Sequence, residues 1–392
     1  VKINPPLLAL AIGAFGIGVT EFTPMGLLPV MAADLDVSIP TAGLLVSAYA
    51  LGVLIGAPLM TLTTGRVPRR TLLIGLAALY TLGNFLSAIA DSYTLLLVSR
   101  IVTSLNHGAF FGVGAVVAAG LVPAERQASA VAAMFTGLTV ATIAGVPLAT
   151  WIGQHLGWRA AFWGTTGLGV LTMMALWASL PATLPNASGD ARSELAVLKR
   201  GNVLLALALT AIGFSAMFAL FTFVTPILEG EAGASSLAVT LILMIFGVGL
   251  AIGNWAGGRF ADRSVDRTLI VAMAAQILLL LIFPLVMQSG IAAAALLFAI
   301  GIASFALVPP LQMRVMNAAA DAPNLASAMN IGAFNLGNAI GAAAGSGVIG
   351  LGLGYGAVSV AAALMAAAGL ALVLVTRRRP AHEAPAGLAQ LG

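Results

Sequence analysis

Apolar runs of roughly twenty to thirty residues recur from one end of the chain to the other, separated by short gaps marked by charges, Gly or Pro. The pattern predicts twelve spans, at 7–31, 41–62, 71–90, 93–120, 128–152, 160–180, 202–225, 236–257, 268–287, 291–311, 326–349 and 357–375. Each is expected to be a helix. At about 1.5 Å per residue such a run crosses a hydrocarbon layer of about 30 Å, whereas a spanning strand needs only about 10 residues with alternating polarity.

The charges fall in the gaps. With the N-terminus inside, the inner segments hold Lys2, Arg66, Arg69, Arg70, Arg126, Arg192, Lys199, Arg200, Arg259, Arg263, Arg267, Arg314, Arg377, Arg378 and Arg379, which is 15 of the 17 basic residues. Arg159 alone lies in an outer gap and Arg100 lies within a span, while Asp34, Asp36, Asp91, Glu229 and Glu231 mark the outer side. This bias predicts both termini in the cytoplasm. Composition agrees: 60% of residues are hydrophobic and 8% charged, with mean hydropathy +1.06. A soluble domain carries about 25% charged residues, so this composition reads as an all-α integral membrane protein. The net charge of +4 then reflects orientation, and no nucleic-acid partner is expected. Cys 0 excludes disulfides and thiol chemistry. The first run is too long for a signal-peptide core and is read as a span.

The longest inner gap, 181–201, separates six spans from six. It divides the chain into an N-terminal six-helix bundle (1–180), a cytoplasmic linker (181–201), a C-terminal six-helix bundle (202–380) and a cytoplasmic tail (381–392). An internal repeat agrees. A shift of 197 residues lays Tyr49–Leu72 over Phe246–Leu269 and matches Gly52 with Gly249, Gly56 with Gly253, Arg66 with Arg263, Arg70 with Arg267, Thr71 with Thr268 and Leu72 with Leu269. Two parallel copies with a cavity between them are an arrangement used for alternating access.

Both matched windows run into an inner loop. The second loop reads Gly258-Arg259-Phe260-Ala261-Asp262-Arg263-Ser264-Val265-Asp266-Arg267, and its first-half counterpart offers Thr61, Gly65, Arg66, Pro68, Arg69 and Arg70. These charges serve either as topogenic signals alone or as a latch, in which Asp262 and nearby arginines, among them Arg263 and Arg267, bond across the cytoplasmic side and to helix ends. The second loop resembles the Gly-x-x-x-Asp-Arg-x-x-x-Arg signature of the major facilitator superfamily. In the first loop Gly65 stands at the acidic position and Thr61 at the opening glycine, so a carboxylate latch is absent there or is built from other groups. The resemblance covers all twelve spans. It is nearest the twelve-span drug:proton antiporters, in particular the bacterial arabinose- or sugar-efflux permeases, through Thr20-Glu21-Phe22, Gly26-Leu27-Leu28-Pro29, Asn106-His107-Gly108-Ala109-Phe110-Phe111, Gly145-Val146-Pro147 and Gly157-Trp158-Arg159.

Three ionisable residues lie inside spans. Glu21 is about 15 Å from the outer end of span 1, and in span 4 Arg100 and His107 lie about 10 and 21 Å deep. Seven residues apart, Arg100 and His107 share a helix face. The resemblance implies that spans 1 and 4 line one cavity, so that all three face one another, and it associates the span 4 arginine with proton coupling; Ser104 and Asn106 replace two of the glycines usual there. A carboxylate whose contact with water and with a cation changes through a cycle can load and release a proton. The alternative is a static Glu21–Arg100 pair that fixes the two spans, with His107 a packed neutral imidazole instead of a relay. No metal site is expected, since a third ligand is lacking.

Span 5 carries Gly137, Gly145, Pro147 and Gly153, read either as ordinary close packing with a bend at Pro147 or as a partial form of the antiporter signature, from which Ala141, Val146 and Ala149 depart. For the solute surface the candidates are Phe214, Met217, Phe218 and Phe221 in span 7, with Phe223 offset, Asn254 and Trp255 in span 8, Phe298 and Phe305 in span 10, and Asn335 and Asn338 in span 11. Aromatics and Met suit a flat apolar ligand, and Asn orients a polar group. Each aromatic taken alone serves equally as a core or lipid-facing residue.

The expectation is a major facilitator fold in a bacterial inner membrane, exporting a small amphiphilic compound such as a drug or sugar-like molecule against proton entry. It needs no cofactor and no covalent reaction, and a monomer in lipid suffices because the cavity is intramolecular. The alternatives are a proton-coupled importer or uniporter of a sugar or nucleoside, and a non-transporting receptor or scaffold.

Overall fold

The computed structural model describes residues 4–37, 39–182, 184, 191–321 and 323–377. Lys2, Arg378, Arg379, the 381–392 tail, part of the 181–201 linker and the side chain of Arg192 lie outside what is described. The described residues form helices and no strand: α1 (Pro5–Asp34), α2 (Ile39–Thr63), α3 (Arg69–Ala88), α4 (Tyr93–Gly120), a short turn at Ala124–Arg126, α5 (Gln127–Val140), a π-helical turn (Ala141–Gly145), α6 (Val146–Leu156), α7 (Trp158–Ser179), α8 (Ala191–Leu198), α9 (Gly201–Phe221), α10 (Val224–Gly230), α11 (Ser236–Ala261), α12 (Val265–Val286), α13 (Gly290–Phe305), α14 (Val308–Ala318), α15 (Pro323–Gly350) and α16 (Gly354–Arg377).

Local chemistry starts several of these helices. The hydroxyls of Ser92, Ser235, Ser264 and Ser289 accept from the backbone N–H of Leu95, Ala238, Arg267 and Ala292, satisfying donors that an uncapped first turn leaves free. The expected bend in span 5 takes the form of the π turn before Pro147: proline lacks the N–H that would close an α-turn, and a wider turn accommodates the loss.

Eleven helical segments among the described residues are long and apolar enough to cross a membrane, against twelve expected. The difference is α15. Its 28 residues exceed the required length, but Asn324, Asn330, Asn335 and Asn338 dilute its apolar character. Leucine and isoleucine side chains lie exposed along the outer helix faces, as hydrocarbon-facing residues do.

Helix contacts repeat between the halves of the chain. In the first, α1 packs on α5, α2 on α4 and α3 on α7; in the second, α9 packs on α15, α11 on α13 and α12 on α16. The 197-residue repeat survives in three dimensions. A Cβ at Gly56 would lie 2.8 Å from the Leu105 Cα and one at Gly253 2.9 Å from the Ile302 Cα, and Leu105 and Ile302 are themselves 197 residues apart. Only glycine permits so close an approach. Between the halves, α5 meets α11 and α15 meets both α2 and α4. The face that carries the α2–α3 and α11–α12 connections is rich in arginine and is called the basic face below.

Candidate functional site

Five helices of the first half bring polar side chains to one buried cluster. From α4, Ser99, Arg100, Thr103 and His107 fall on one face by helical spacing, and all are buried. The Arg100 guanidinium is 1% exposed; its carbon lies 4.2 Å over the Tyr49 ring of α2, and its Nη1 donates to Thr20 Oγ1 of α1 at 3.3 Å. Beyond Tyr49 the phenol oxygen meets His107 Nδ1 at 3.2 Å. Beyond Thr20 the hydroxyl donates to Asn84 Oδ1 of α3 at 2.5 Å, which also accepts from Thr165 of α7 at 3.0 Å. Tyr80 OH donates to the Gly16 carbonyl at 2.8 Å. The cluster is thus a continuous polar chain inside an apolar bundle, and Arg100 Nε and Nη2 are left without hydrogen-bond partners in it.

Glu21 follows Thr20 and, one helical step around, is half-buried. Arg100 and Tyr49 lie within its electrostatic reach. The ion pairs among the described residues do not include Glu21–Arg100, so the rigid pair considered from sequence is replaced by an arginine held by Tyr49 and Thr20 with the carboxylate alongside. Arg100 and His107 do share a face, and both use Tyr49. Sequence reasoning missed Tyr49, Tyr80 and Asn84, although a phenol or amide in mid-span was the available signal.

The second half has aromatics where the first has charge. Phe214 stands 4.8 Å, centroid to centroid, from Phe334 and 6.0 Å from Phe305, and Phe218 and Phe221 extend the contact to Phe246, stacked at 5.1 Å. Met217 is buried beside them. Asn335 Nδ2 donates to the Ile331 carbonyl at 3.0 Å, and Asn338 Oδ1 is buried without a partner. Asn254 is used differently: fully buried, it donates to the Ala132 carbonyl at 2.7 Å and to Thr136 at 3.3 Å, joining α11 to α5.

At the basic face the halves are locked together. Asp262, at the end of α11, accepts from the backbone N–H of Ala128 at 2.8 Å and of Ser129 at 3.2 Å, and from the Ser129 hydroxyl. A carboxylate from one half therefore caps the N-terminus of α5 in the other, where the orphan N–H groups and helix dipole favour negative charge. In the α2–α3 connection, with Gly65 at the acidic position, Arg69 reaches Asn324 Oδ1 at the start of α15 at 3.4 Å. Arg70 donates to the Trp177 carbonyl at 2.5 Å, and Arg66, Arg263 and Arg267 are exposed. A second crossing was not foreseen: Asn330 donates to Gln312, Gln312 to Ser327, and Ser327 to the Gly112 carbonyl of α4 at 2.9 Å, all buried. The packing glycines of span 5 lie against α1, where a Cβ at Gly137 would press on the Ala11 carbonyl, one at Gly145 on Phe15 and Val19, and one at Gly153 on Leu27. Among the described residues no three His, Asp or Glu side chains gather as metal ligands.

Residues 10–331 match the Major Facilitator Superfamily. The chain belongs to that superfamily. This major facilitator is 57% identical over 348 residues to the inner membrane transport protein YdhP of Escherichia coli K12, an alignment covering 89% of the chain and 90% of YdhP. It is 36% identical over 341 residues to the putative transporter AraJ of the same organism, covering 86% of each. It is also 36% identical over 352 residues to the chloramphenicol resistance protein of Streptomyces lividans, covering 88% of the chain and 89% of that protein. Its fold is that of the crystal structure of the human organic anion transporter MFSD10, with TM-score 0.74 at 17% identity, covering 94% of this chain and 98% of that one. As a major facilitator the protein is a secondary transporter of small solutes and not an enzyme.

Proposed function

We propose that this protein is a proton-coupled exporter of a small amphiphilic organic compound, working by alternating access in a bacterial inner membrane. In this reading twelve spans form two six-helix bundles, 1–180 and 202–380, with both termini in the cytoplasm. The symmetric helix contacts, the arginine bias toward one face and the likeness to an inner membrane transport protein support it. A relative named for chloramphenicol resistance and the aromatic cluster around Phe214 support an amphiphilic solute over a small anion.

One observation carries the coupling: Glu21 stands half-buried in mid-span, beside an arginine held by Tyr49 and Thr20. A carboxylate in hydrocarbon must face a cavity, find a cation or hold its proton, and a rocking motion that alters its water access moves it between those options. Each proton entering down the membrane potential supplies about 2.3 kcal/mol per 100 mV, enough to drive accumulation outside. Purified protein in liposomes under an imposed pH gradient tests this. Export requires solute to move opposite to protons; co-directional flux would make it an importer, and binding without flux a receptor. Glu21→Gln is expected to abolish gradient-driven flux while folded yield and solute binding remain. Persistent gradient-driven transport in that variant would remove Glu21 from the coupling.

A further inference from the structure

At the basic face α5 and α11 line an open-sided cavity of about 810 Å³. The first half contributes Arg126 to its wall, and the second contributes Arg259 and Arg263. Among the described residues none of these guanidinium groups takes part in an ion pair. Two acids share the lining, but the carboxylate of Asp262 is already engaged by the N-terminus of α5 and by Ser129, which leaves Glu125. Three cations from two halves of the molecule therefore converge around an open volume with one unengaged carboxylate. Their repulsion opposes the closed arrangement, and an anion seated between them would relieve it.

The same wall carries Trp255, 62% exposed, and five residues further along α11, outside the lining, Phe260 is 53% exposed. Indole rings settle at the headgroup level of a bilayer, so the mouth of this cavity lies where lipid phosphates are found. Planar guanidinium forks match phosphate oxygens in pairs, and the volume suits a phosphoglycerol group. We propose that this cavity binds the phosphate headgroup of an anionic phospholipid, which bridges Arg126 of the first half to Arg259 and Arg263 of the second. The bound lipid acts as a clasp beside the Asp262 cap and favours the closed basic face.

The test is lipid retention, which reads binding whether or not the protein transports. The full chain is assembled in nanodiscs of phosphatidylcholine with a minor fraction of phosphatidylglycerol, and retained lipid is counted by native mass spectrometry. The wild type is expected to retain phosphatidylglycerol selectively. Replacing Arg126→Gln together with Arg259→Gln should lower retention about fivefold per arginine, about 25-fold for the pair. Arg377→Gln, which removes one positive charge elsewhere on that face, should leave it unchanged, where either cavity arginine replaced alone should lower it about fivefold. Independently, phosphatidylglycerol with brominated chains should quench wild-type tryptophan fluorescence more than brominated phosphatidylcholine, an excess that Trp255→Phe removes. Undiminished retention in the double variant, equal retention of both lipids, or equal quenching by them would overturn the proposal. Displacement of the lipid by soluble glycerol phosphate at matched concentration would also overturn it, because the occupant would then be a free phosphate compound.

Discussion

Tyr49 makes two contacts of different kinds, its ring beneath Arg100 and its hydroxyl against His107, and single substitutions there separate them. Tyr49→Phe keeps the ring beneath the guanidinium and removes only the bond to His107 Nδ1, so it should cost about 0.6 kcal/mol, the average for such bonds inside membranes. Tyr49→Leu removes the ring as well and should cost about 2 kcal/mol more, because the cation is desolvated. Thermal unfolding in detergent measures both, and equal losses would show that the ring contributes nothing. Beyond the span, Asp34 accepts from Arg159 Nη1 at 2.6 Å and Trp158 Nε1 at 3.0 Å, and these bonds, Arg159 foremost, hold its carboxyl below the ordinary range. A depressed native value gives stabilisation that is complete above the unfolded value and lost as pH falls through the native one. Acidification below about pH 4 should therefore lower the melting temperature, and Asp34→Asn should flatten that decline. A variant that melts along the wild-type pH curve would exclude Asp34 as the source.

Helices here are placed by what their small residues allow. At Gly137 any side chain would drive into the Ala11 carbonyl and the Phe15 backbone nitrogen, 2.7 Å away, so Gly137→Val should separate α5 from α1 at a cost of about 1–3 kcal/mol and lower the folded yield. Gly164 on α7 has nothing within 4 Å, and Gly164→Ala should instead stabilise by about 0.5–1 kcal/mol. Chromatographic monodispersity and melting temperature distinguish the two outcomes. The existence of these elements was legible in the sequence because a continuous apolar run has no other stable form in hydrocarbon. Their interruptions were legible only in part. Runs 202–225 and 291–311 read as single spans, yet they break at Thr222–Phe223 and Ala306–Leu307. Pro226 and Pro309 each lack the N–H that would bond the carbonyl four residues back, at Thr222 and Phe305, so the signal stood in the sequence, just past the end of the first run and inside the second.

Across the whole molecule, pattern alone located the groups and not their partners. Asp262 stood out as the acid of a loop motif, but the N–H groups that donate to it, in the first turn of α5, lie 133 and 134 residues away in the other half and carry no charge to announce them. The Gln312–Ser327–Gly112 crossing was equally hidden, since three uncharged residues, two in separate runs and one in a gap, acquire meaning only when α14, α15 and α4 meet. These contacts share the basic face, so they should set the balance between closed and open arrangements there. Asp262→Asn keeps the shape of the cap and removes its charge, which forfeits about 1 kcal/mol of helix-end stabilisation. The ratio of open to closed molecules should rise about fivefold, because each 1.4 kcal/mol is worth tenfold. The chain has no native cysteine, so spin labels at Thr63→Cys and Phe260→Cys, one on each half and both exposed, report the separation across the basic face. A longer-distance population that grows in Asp262→Asn meets the expectation. An unchanged distance distribution would mean that the cap is an ornament of the closed state and that the weight of closure rests on the buried crossing at Ser327.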